Sequence, residues 1–329
     1  MSLPLEIESA LLAAGLLSSG RHYVTPLAGG VSCDIWRVEE DGRLFVVKRA
    51  LPKLRVQAEW FADIARNRHE QDYLKYVGTF LPGAVPKVLF SGKDFFVMEF
   101  LGQEFQDWKT LLLSRFIEPV TATHAGGALG RIHRESWQDP EAHRLFSTDQ
   151  HFHDLRIAPY LLAAAEKHPE IAGLIHAEAK RLATTKLALV HGDYSPKNLM
   201  VADQRLVVLD CEVAWFGDPA FDLCFLINHL LLKSLCVREK RQAFLDLIPL
   251  AISAYCKEIG ENRFQVVSGH APGLLLCLLL ARVDGKSPVE YLTDTSKKDF
   301  VRGFVHKHLA SPPKSLTELV EHYSASLPL

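Results

Sequence analysis

The sequence predicts an α+β fold in two lobes: a small N-terminal lobe built on an antiparallel sheet, residues 1–101, and a mostly helical C-terminal lobe, residues 102–329. Three observations predict it. The chain has 329 residues, more than one hydrophobic core usually organises. Short strand-like apolar runs separated by tight turns crowd the first hundred residues. After Gly102 the apolar spacing turns helical and stays so to the C-terminus.

Composition narrows the function classes. Hydrophobic residues make up 48% and charged residues 23%, the balance of a water-soluble globular protein. Lys+Arg number 37 against Asp+Glu 39, a formal net charge of -2. That balance predicts neither a nucleic-acid footprint nor a polybasic membrane patch. The six cysteines, Cys33, Cys211, Cys224, Cys236, Cys256 and Cys277, form no Cys-x-x-Cys pair. A zinc site of that type is therefore not expected, and free thiols in a reducing cytosol are. Met1 to Gly20 carries Glu6 and Glu8 and no basic start, unlike a secretory signal. The apolar run Gly273 to Ala281 is short for a membrane span. The expectation is a cytoplasmic protein with no membrane or nucleic-acid partner.

Taken in order, Leu5 to Leu17 has helical spacing and stops at Ser18-Ser19-Gly20. Tyr23 to Val38 is strand, glycine turn, strand, with Gly29, Gly30 and Ser32 at the tip, where backbone can approach a phosphate without a Cβ in the way. Glu39 to Gly42 is a tight turn, and Leu44 to Lys48 a strand that ends on a lysine. Trp60 to Val77 is a helix carrying Glu70. Lys87 to Ser91 and Phe95 to Phe100 are strands. In the second lobe helices are predicted over Trp108–Phe116, Val120–Glu135, Leu155–His168, Ile171–Thr184, Leu223–Leu235, Lys240–Ile259, Val266–Val283, Phe300–His308 and Ser315–Ser324. Small residues in Ala125-Gly126-Gly127-Ala128 suit a closely packed helix.

Between them lies Ala188-Leu189-Val190-His191-Gly192-Asp193-Tyr194-Ser195-Pro196-Lys197-Asn198-Leu199-Met200. An apolar strand ends in a polar loop, and a second apolar run, Leu206 to Leu209, delivers Asp210. Asp193 can take a proton from an alcohol. Asn198 and Asp210 offer the hard oxygens that Mg²⁺ prefers. Phosphoryl transfer asks for that combination, since its barrier falls mainly through positioning and charge neutralisation.

His191-Gly192-Asp193, with Asn198 five positions after the Asp, resembles the catalytic loop of the aminoglycoside phosphotransferase and choline kinase superfamily, whose members share the protein-kinase fold. The resemblance runs from about Thr25 to the helices beyond Asp222, and Lys48 to Val56 is locally similar to methylthioribose kinases. It implies a protein-kinase-like fold, with residues 1–101 as the nucleotide-binding lobe and 102–329 as the catalytic and substrate-binding lobe. It implies Asp193 as catalytic base, and Asn198 and Asp210 as Mg²⁺ ligands, with Glu212 a further one by the Asp-x-Glu pattern. Lys48 would grip the α- and β-phosphates of ATP beneath the Gly29, Gly30 and Ser32 loop. Glu70 would pair with Lys48, Glu59 being the competitor that spacing does not eliminate. Backbone groups of Glu99, Phe100 and Leu101 would meet the adenine edge. Asp218 and Asp222 resemble structural carboxylates. Lys197, between base and metal ligand, and Arg282, Asp284 and Lys286, which interrupt the late apolar pattern, are the candidate substrate contacts. The implied activity is transfer of the γ-phosphoryl group of ATP to a hydroxyl of a small polar metabolite: a sugar, an aminoglycoside or an amino alcohol, with a methylthioribose-like sugar among them. The alternative is an inactive kinase fold that binds a nucleotide or a partner protein. No recognisable activation segment lies between Asp210 and Asp222, which argues against a protein kinase.

Overall fold

The computed structural model describes residues 2–18, 20–27, 33–51 and 66–328. It divides into two compact units: Met1–Phe105 with Leu209–Glu212, and Gln106–Val208 with Val213–Leu329. The return of residues 209–212 to the first unit is a crossing that a single cut after Leu101 does not contain.

The first unit is a five-stranded antiparallel sheet of β1 (Tyr23–Pro26), β2 (Cys33–Glu40), β3 (Arg43–Ala50), β4 (Val88–Ser91) and β5 (Phe95–Glu99), in the order β1-β2-β3-β5-β4. The β2–β3 turn is built on Asp41 (φ 48°) and Gly42 (φ 76°), the doubly left-handed conformation that suits a two-residue hairpin. Side chains alternate along a strand. Phe45 and Val47 therefore enter one cluster with Trp36, Val38, Phe95 and Val97, closed by Leu3, Ile7 and Leu11 on and beside helix α1 (Leu5–Ala13). Each of those α1 side chains contributes about 1.5–3 kcal/mol by leaving water. Val46 and Lys48 belong to the other face. There Lys48 meets helix α2, described over Arg66–Phe80, whose Tyr73, Leu74 and Val77 are buried.

In the second unit, β6 (Gln106–Asp107), β8 (Leu199–Ala202) and β9 (Arg205–Val208) form one small sheet. β7 (Ala188–Val190) pairs antiparallel with β10 (Trp215–Gly217). The loop 191–198 is thereby tethered by β7 at one end and β8 at the other. Helix α3 is Trp108–Leu113 and α4 is Pro119–Glu135. α3 stops three residues before the expected Phe116, because Arg115 takes φ 67° and the Phe116 N–H returns to the Leu111 carbonyl. α5 (Pro140–Leu145) and α6 (Asp149–Phe152) follow. Where an α-helix was expected over Leu155–His168, the chain is π-helical across His153–Leu162 and returns to α form only in α7 (Ala163–Lys167). Pro159 sits inside the π segment and has no N–H to give to an ordinary ladder.

The remaining helices are α8 (Ala172–Thr184), α9 (Ala220–Cys236), α10 (Arg241–Ile259), α11 (Glu261–Asp284), α12 (Thr295–His308) and α13 (Leu316–Ser326). α12 begins five residues before the expected Phe300, capped by the Asp294 carboxylate on the Ser296 N–H at 2.9 Å. α11 runs 24 residues and is long and apolar enough to cross a membrane, although its central apolar run alone looked short. Its apolar window is 72% buried inside the protein, as in a core helix. All six cysteines are free thiols.

α4 and α10 approach backbone to backbone. A Cβ at Gly126 would overlap the Ala251 carbonyl, and one at Gly130 would stand 2.6 Å from the Tyr255 carbonyl oxygen. Gly127, between them in sequence, has nothing within 4 Å. Gly126→Val should therefore lower stability by about 3 kcal/mol through overpacking. Gly127→Ala should raise it by about 0.5–1 kcal/mol through helix propensity. Denaturant midpoints of the two variants check both signs.

Candidate active site

In the first unit, Lys48 is 4% exposed on β3. Its ammonium donates to Glu70 Oε1 at 2.8 Å and to Asp210 Oδ1 at 3.2 Å. Glu212 Oε2 lies 3.4 Å from Arg66 Nε, and Arg66 also donates to the Leu51 carbonyl at 2.6 Å. Three carboxylates thus gather about two cations. Burial works against the Lys48 ammonium, yet Glu70, Asp210 and Glu212 together hold its pKa well above the ordinary lysine value. Burial, aided by the like charges of Asp210 and Glu212, pushes Glu70 up to about 7 despite Lys48. Nearby carboxylates thus raise both groups, whereas burial opposes the Lys48 shift and is the larger cause of the Glu70 shift. Asp210 itself takes φ 61°, a left-handed conformation uncommon outside glycine.

Glu70 is thus the described partner of Lys48; Glu59 lies outside the described residues, as do Gly29, Gly30 and Ser32. Glu99 ends β5, its N–H bonded to the Lys87 carbonyl at 3.0 Å. Phe100 lies under the Arg37 guanidinium at 5.8 Å, and Leu101 is half-buried.

In the second unit, the loop after β7 is fixed by one carboxylate. Asp222, fully buried at the start of α9, accepts from the His191 N–H at 2.6 Å and the Gly192 N–H at 3.0 Å. His133 of α4 stands 3.4 Å from the same carboxylate and 2.8 Å from the Tyr255 hydroxyl, a supporting role. Gly192 has φ 79°, and a Cβ there would come within 2.6 Å of the Val213 carbonyl oxygen. His191 Nδ1 accepts from the Asp193 N–H at 3.1 Å, so the ring orders the loop's own backbone. Asn198 Nδ2 donates to the Asp193 carbonyl at 2.9 Å, so the side-chain amide helps hold the loop and its Oδ1 is the acceptor atom.

The Asp193 side chain is 10% exposed, with Lys197 Nζ at 2.9 Å and Arg156 Nη2 at 3.3 Å from its Oδ2. Arg156 also donates to the Gly192 carbonyl. Arg156 was missed from the sequence: it lies in the π-helical stretch, whose register no α period reveals. Arg66, the buried partner of Glu212, was missed as well, as one arginine among several around it.

The late-helix candidates divide. Asp284 has partners inside the unit, 2.9 Å from His168 Nε2 and 2.6 Å from Arg302 Nη2. His168 in turn stands 3.0 Å from His306. Arg282 is buried and donates to the Tyr160 hydroxyl at 3.1 Å and to the Ser287 carbonyl, with no carboxylate partner among the described contacts. Lys286 is exposed, its N–H bonded to the Pro159 carbonyl at 2.8 Å.

Removing Lys48 would strand Glu70. Glu70 titrates at about 7 when folded against an ordinary 4.5, so below 4.5 it is protonated in both states and carries no penalty. Above 7 it is ionised in both states, and the folded protein bears the full burial penalty. Lys48→Met removes the charge that lowers the Glu70 pKa, so it should cost about 3–5 kcal/mol at pH 8, where Glu70 must either stay ionised without its partner or take up a proton against the pH. The loss should shrink on going to pH 5, where Glu70 takes up its proton. Unfolding free energies of both proteins at the two pH values check the sign.

Comparisons with known proteins bear on the family and the fold. Methylthioribose kinase of Yersinia pseudotuberculosis is 28% identical over 223 residues, covering 57% of this chain and 53% of that protein. The chain thus spans about half the length of that relative. Methylthioribose kinase of Geobacillus thermodenitrificans is 28% identical over 273 residues, covering 72% of this chain and 68% of its own. Among solved structures, ADP-bound aminoglycoside phosphotransferase APH(2'')-Ib superposes with a TM-score of 0.53 at 16% identity, over 99% of this chain and 100% of that one, which shows the kinase-like fold. The sequence model of the phosphotransferase enzyme family matches residues 24–245. That span, more than half of the chain, takes in Lys48, the Asp193 loop, Asp210 and Asp222, and the chain belongs to the phosphotransferase enzyme family.

Proposed function

We propose that the chain is an ATP-dependent kinase that transfers the γ-phosphoryl group to a hydroxyl of a small polar metabolite, with Mg²⁺ as its metal. One observation carries the reading: a buried lysine shared between Glu70 at 2.8 Å and Asp210 at 3.2 Å. Such a lysine is held extended by one carboxylate and beside a metal-type carboxylate, the arrangement phosphate positioning asks for. Lys48 is assigned to the α- and β-phosphates, the Gly29, Gly30 and Ser32 backbone to phosphate oxygens, and Glu99, Phe100 and Leu101 to the adenine edge.

Asp193 is assigned as base. The acceptor hydroxyl gives its proton to the Asp193 carboxylate, its oxygen forms the new bond to phosphorus, and the bond to the ADP oxygen breaks. Arg156 and Lys197 hold Asp193 Oδ2 in place, and Lys197, half-exposed, can also face the charge that moves in transfer. Asp210 and Glu212 of the first unit are assigned as hard-oxygen ligands of the kind Mg²⁺ prefers, and Asn198 of the second unit is assigned the same role. When bound, Mg²⁺ would neutralise phosphate charge. A methylthioribose-like sugar draws support from the 28% identical relatives and from Asp210-x-Glu212.

A screen of hydroxyl compounds coupled to ADP release tests the reading. Asp193→Asn should lower kcat by about 10²–10⁴ with Mg²⁺·ATP affinity unchanged. Undiminished turnover would remove the base assignment. Nucleotide binding with no turnover on any acceptor would favour a nucleotide-binding protein without chemistry.

A further inference from the structure

The second unit gathers cations that its own carboxylates do not balance. Asn228, His229 and Lys233 lie on α9, Arg282 near the end of α11, Lys109 on α3, and Lys197 in the Asp193 loop. His229 Nδ1 is 3.1 Å from the Tyr291 hydroxyl, and Lys233 Nζ is 4.4 Å from the centroid of the same ring. The Phe225 ring is 5.2 Å from His229 and 5.9 Å from the Arg282 guanidinium. Arg282 also lies 5.3 Å from the Tyr160 ring, which Arg156 covers at 5.6 Å. Arg156 reaches Asp193. A continuous chain of contacts therefore joins these cations to the proposed base.

The accounting of partners is one-sided. Lys109 has Glu290, and Asp193 has Arg156 and Lys197. Lys233 is 0% exposed, and its ammonium has no hydrogen-bond partner among the described residues. Both amide atoms of Asn228, also 0% exposed, and Arg282 Nε are in the same condition. Buried polar groups are nearly always satisfied, and an orphaned buried ammonium beside further cations points to a functional site. Burial, reinforced by Lys233, Arg282, Lys197 and Lys109, holds the His229 pKa well below its ordinary value. Burial and then Lys109 lower Lys233 to about 7. His229 is 7% exposed, Tyr291 is half-buried and Lys197 is half-exposed, while Lys233 is fully buried and Arg282 is 9% exposed.

We propose that this cluster receives an anionic group of the acceptor, a carboxylate or a phosphate, carried on the molecule whose hydroxyl Asp193 serves. The inference rests on the kinase reading and narrows it. A cationic acceptor, such as an aminoglycoside or amino alcohol, would meet like charge here. A neutral sugar would leave Lys233 unanswered.

The test uses the full chain under saturating Mg²⁺·ADP, so that phosphate groups do not report on the nucleotide site. Thermal stabilisation is titrated with four probes of one scaffold: glucose, glucosamine, glucuronate and glucose 6-phosphate. At least one anionic probe should half-saturate at a concentration tenfold or more below glucose, with glucosamine weakest. The two anionic arms separate carboxylate from phosphate. Lys233→Met should erase the preference while Mg²⁺·ADP binds as before, and Lys109→Gln, on a half-buried side chain, should weaken it in the same direction. Equal binding of all probes, no binding of either anion, or a preference that survives Lys233→Met would overturn the proposal. If Mg²⁺·ADP itself fails to bind, the kinase reading is what has failed, and this inference falls with it.

Discussion

The Asp222 carboxylate is the constraint on which the second unit's chemistry depends. It is fully buried, and it answers two consecutive backbone N–H groups, those of His191 and Gly192. A loop that turns sharply out of a strand cannot satisfy those donors by sheet pairing, and burial denies them water. One carboxylate at the start of α9 resolves both, and so ties the direction of the loop to the position of a core helix. The left-handed Gly192 and the His191 ring, which accepts from the Asp193 N–H, then follow as local consequences. Asp193 is aimed by backbone bonds rather than by its own side chain, which stays available for two cations.

How much of this was legible in the sequence depends on whether a residue's role is written in its neighbours. The Asp193 loop was legible because its ordered set of polar residues sits between two apolar strands, which sequence displays directly. Lys48 and Glu70 were legible as an ion pair only through a resemblance; what makes the contact is strand alternation, which turns Lys48 away from the α1 cluster and toward α2. Arg156 was not legible, because a ten-residue π-helical stretch around Pro159 has no α period to read. Asp284 drew attention as one of several charges after an apolar helix. Its partners, His168 and Arg302, come from segments 116 and 18 residues away, and nothing local announces them.

Lys233 is the instructive omission. It lies in Leu230-Leu231-Leu232-Lys233-Ser234-Leu235, where a lone lysine in an apolar helix is ordinarily one that reaches water along its stem. α9 is buried on nearly every face, so no such route exists. Helical spacing gives the face of a residue, but whether that face meets solvent is decided by α10, α11 and the 285–294 segment, all distant in sequence.

The two units place opposite charge problems on the page. In the first, Glu70, Asp210 and Glu212 surround Lys48 and Arg66, and the surplus is negative. In the second, Lys233 and Arg282 have no carboxylate hydrogen-bonded to them among the described contacts. Neither arrangement is what stability alone would select, since apolar residues of similar volume at buried charged positions are often at least as stable. Under the two proposals above, each would be met by a ligand of the opposite sign: a divalent cation in the first unit, an anionic acceptor in the second. In a phosphotransferase, charges that cost stability in the empty protein would then be the ones that bind reactants.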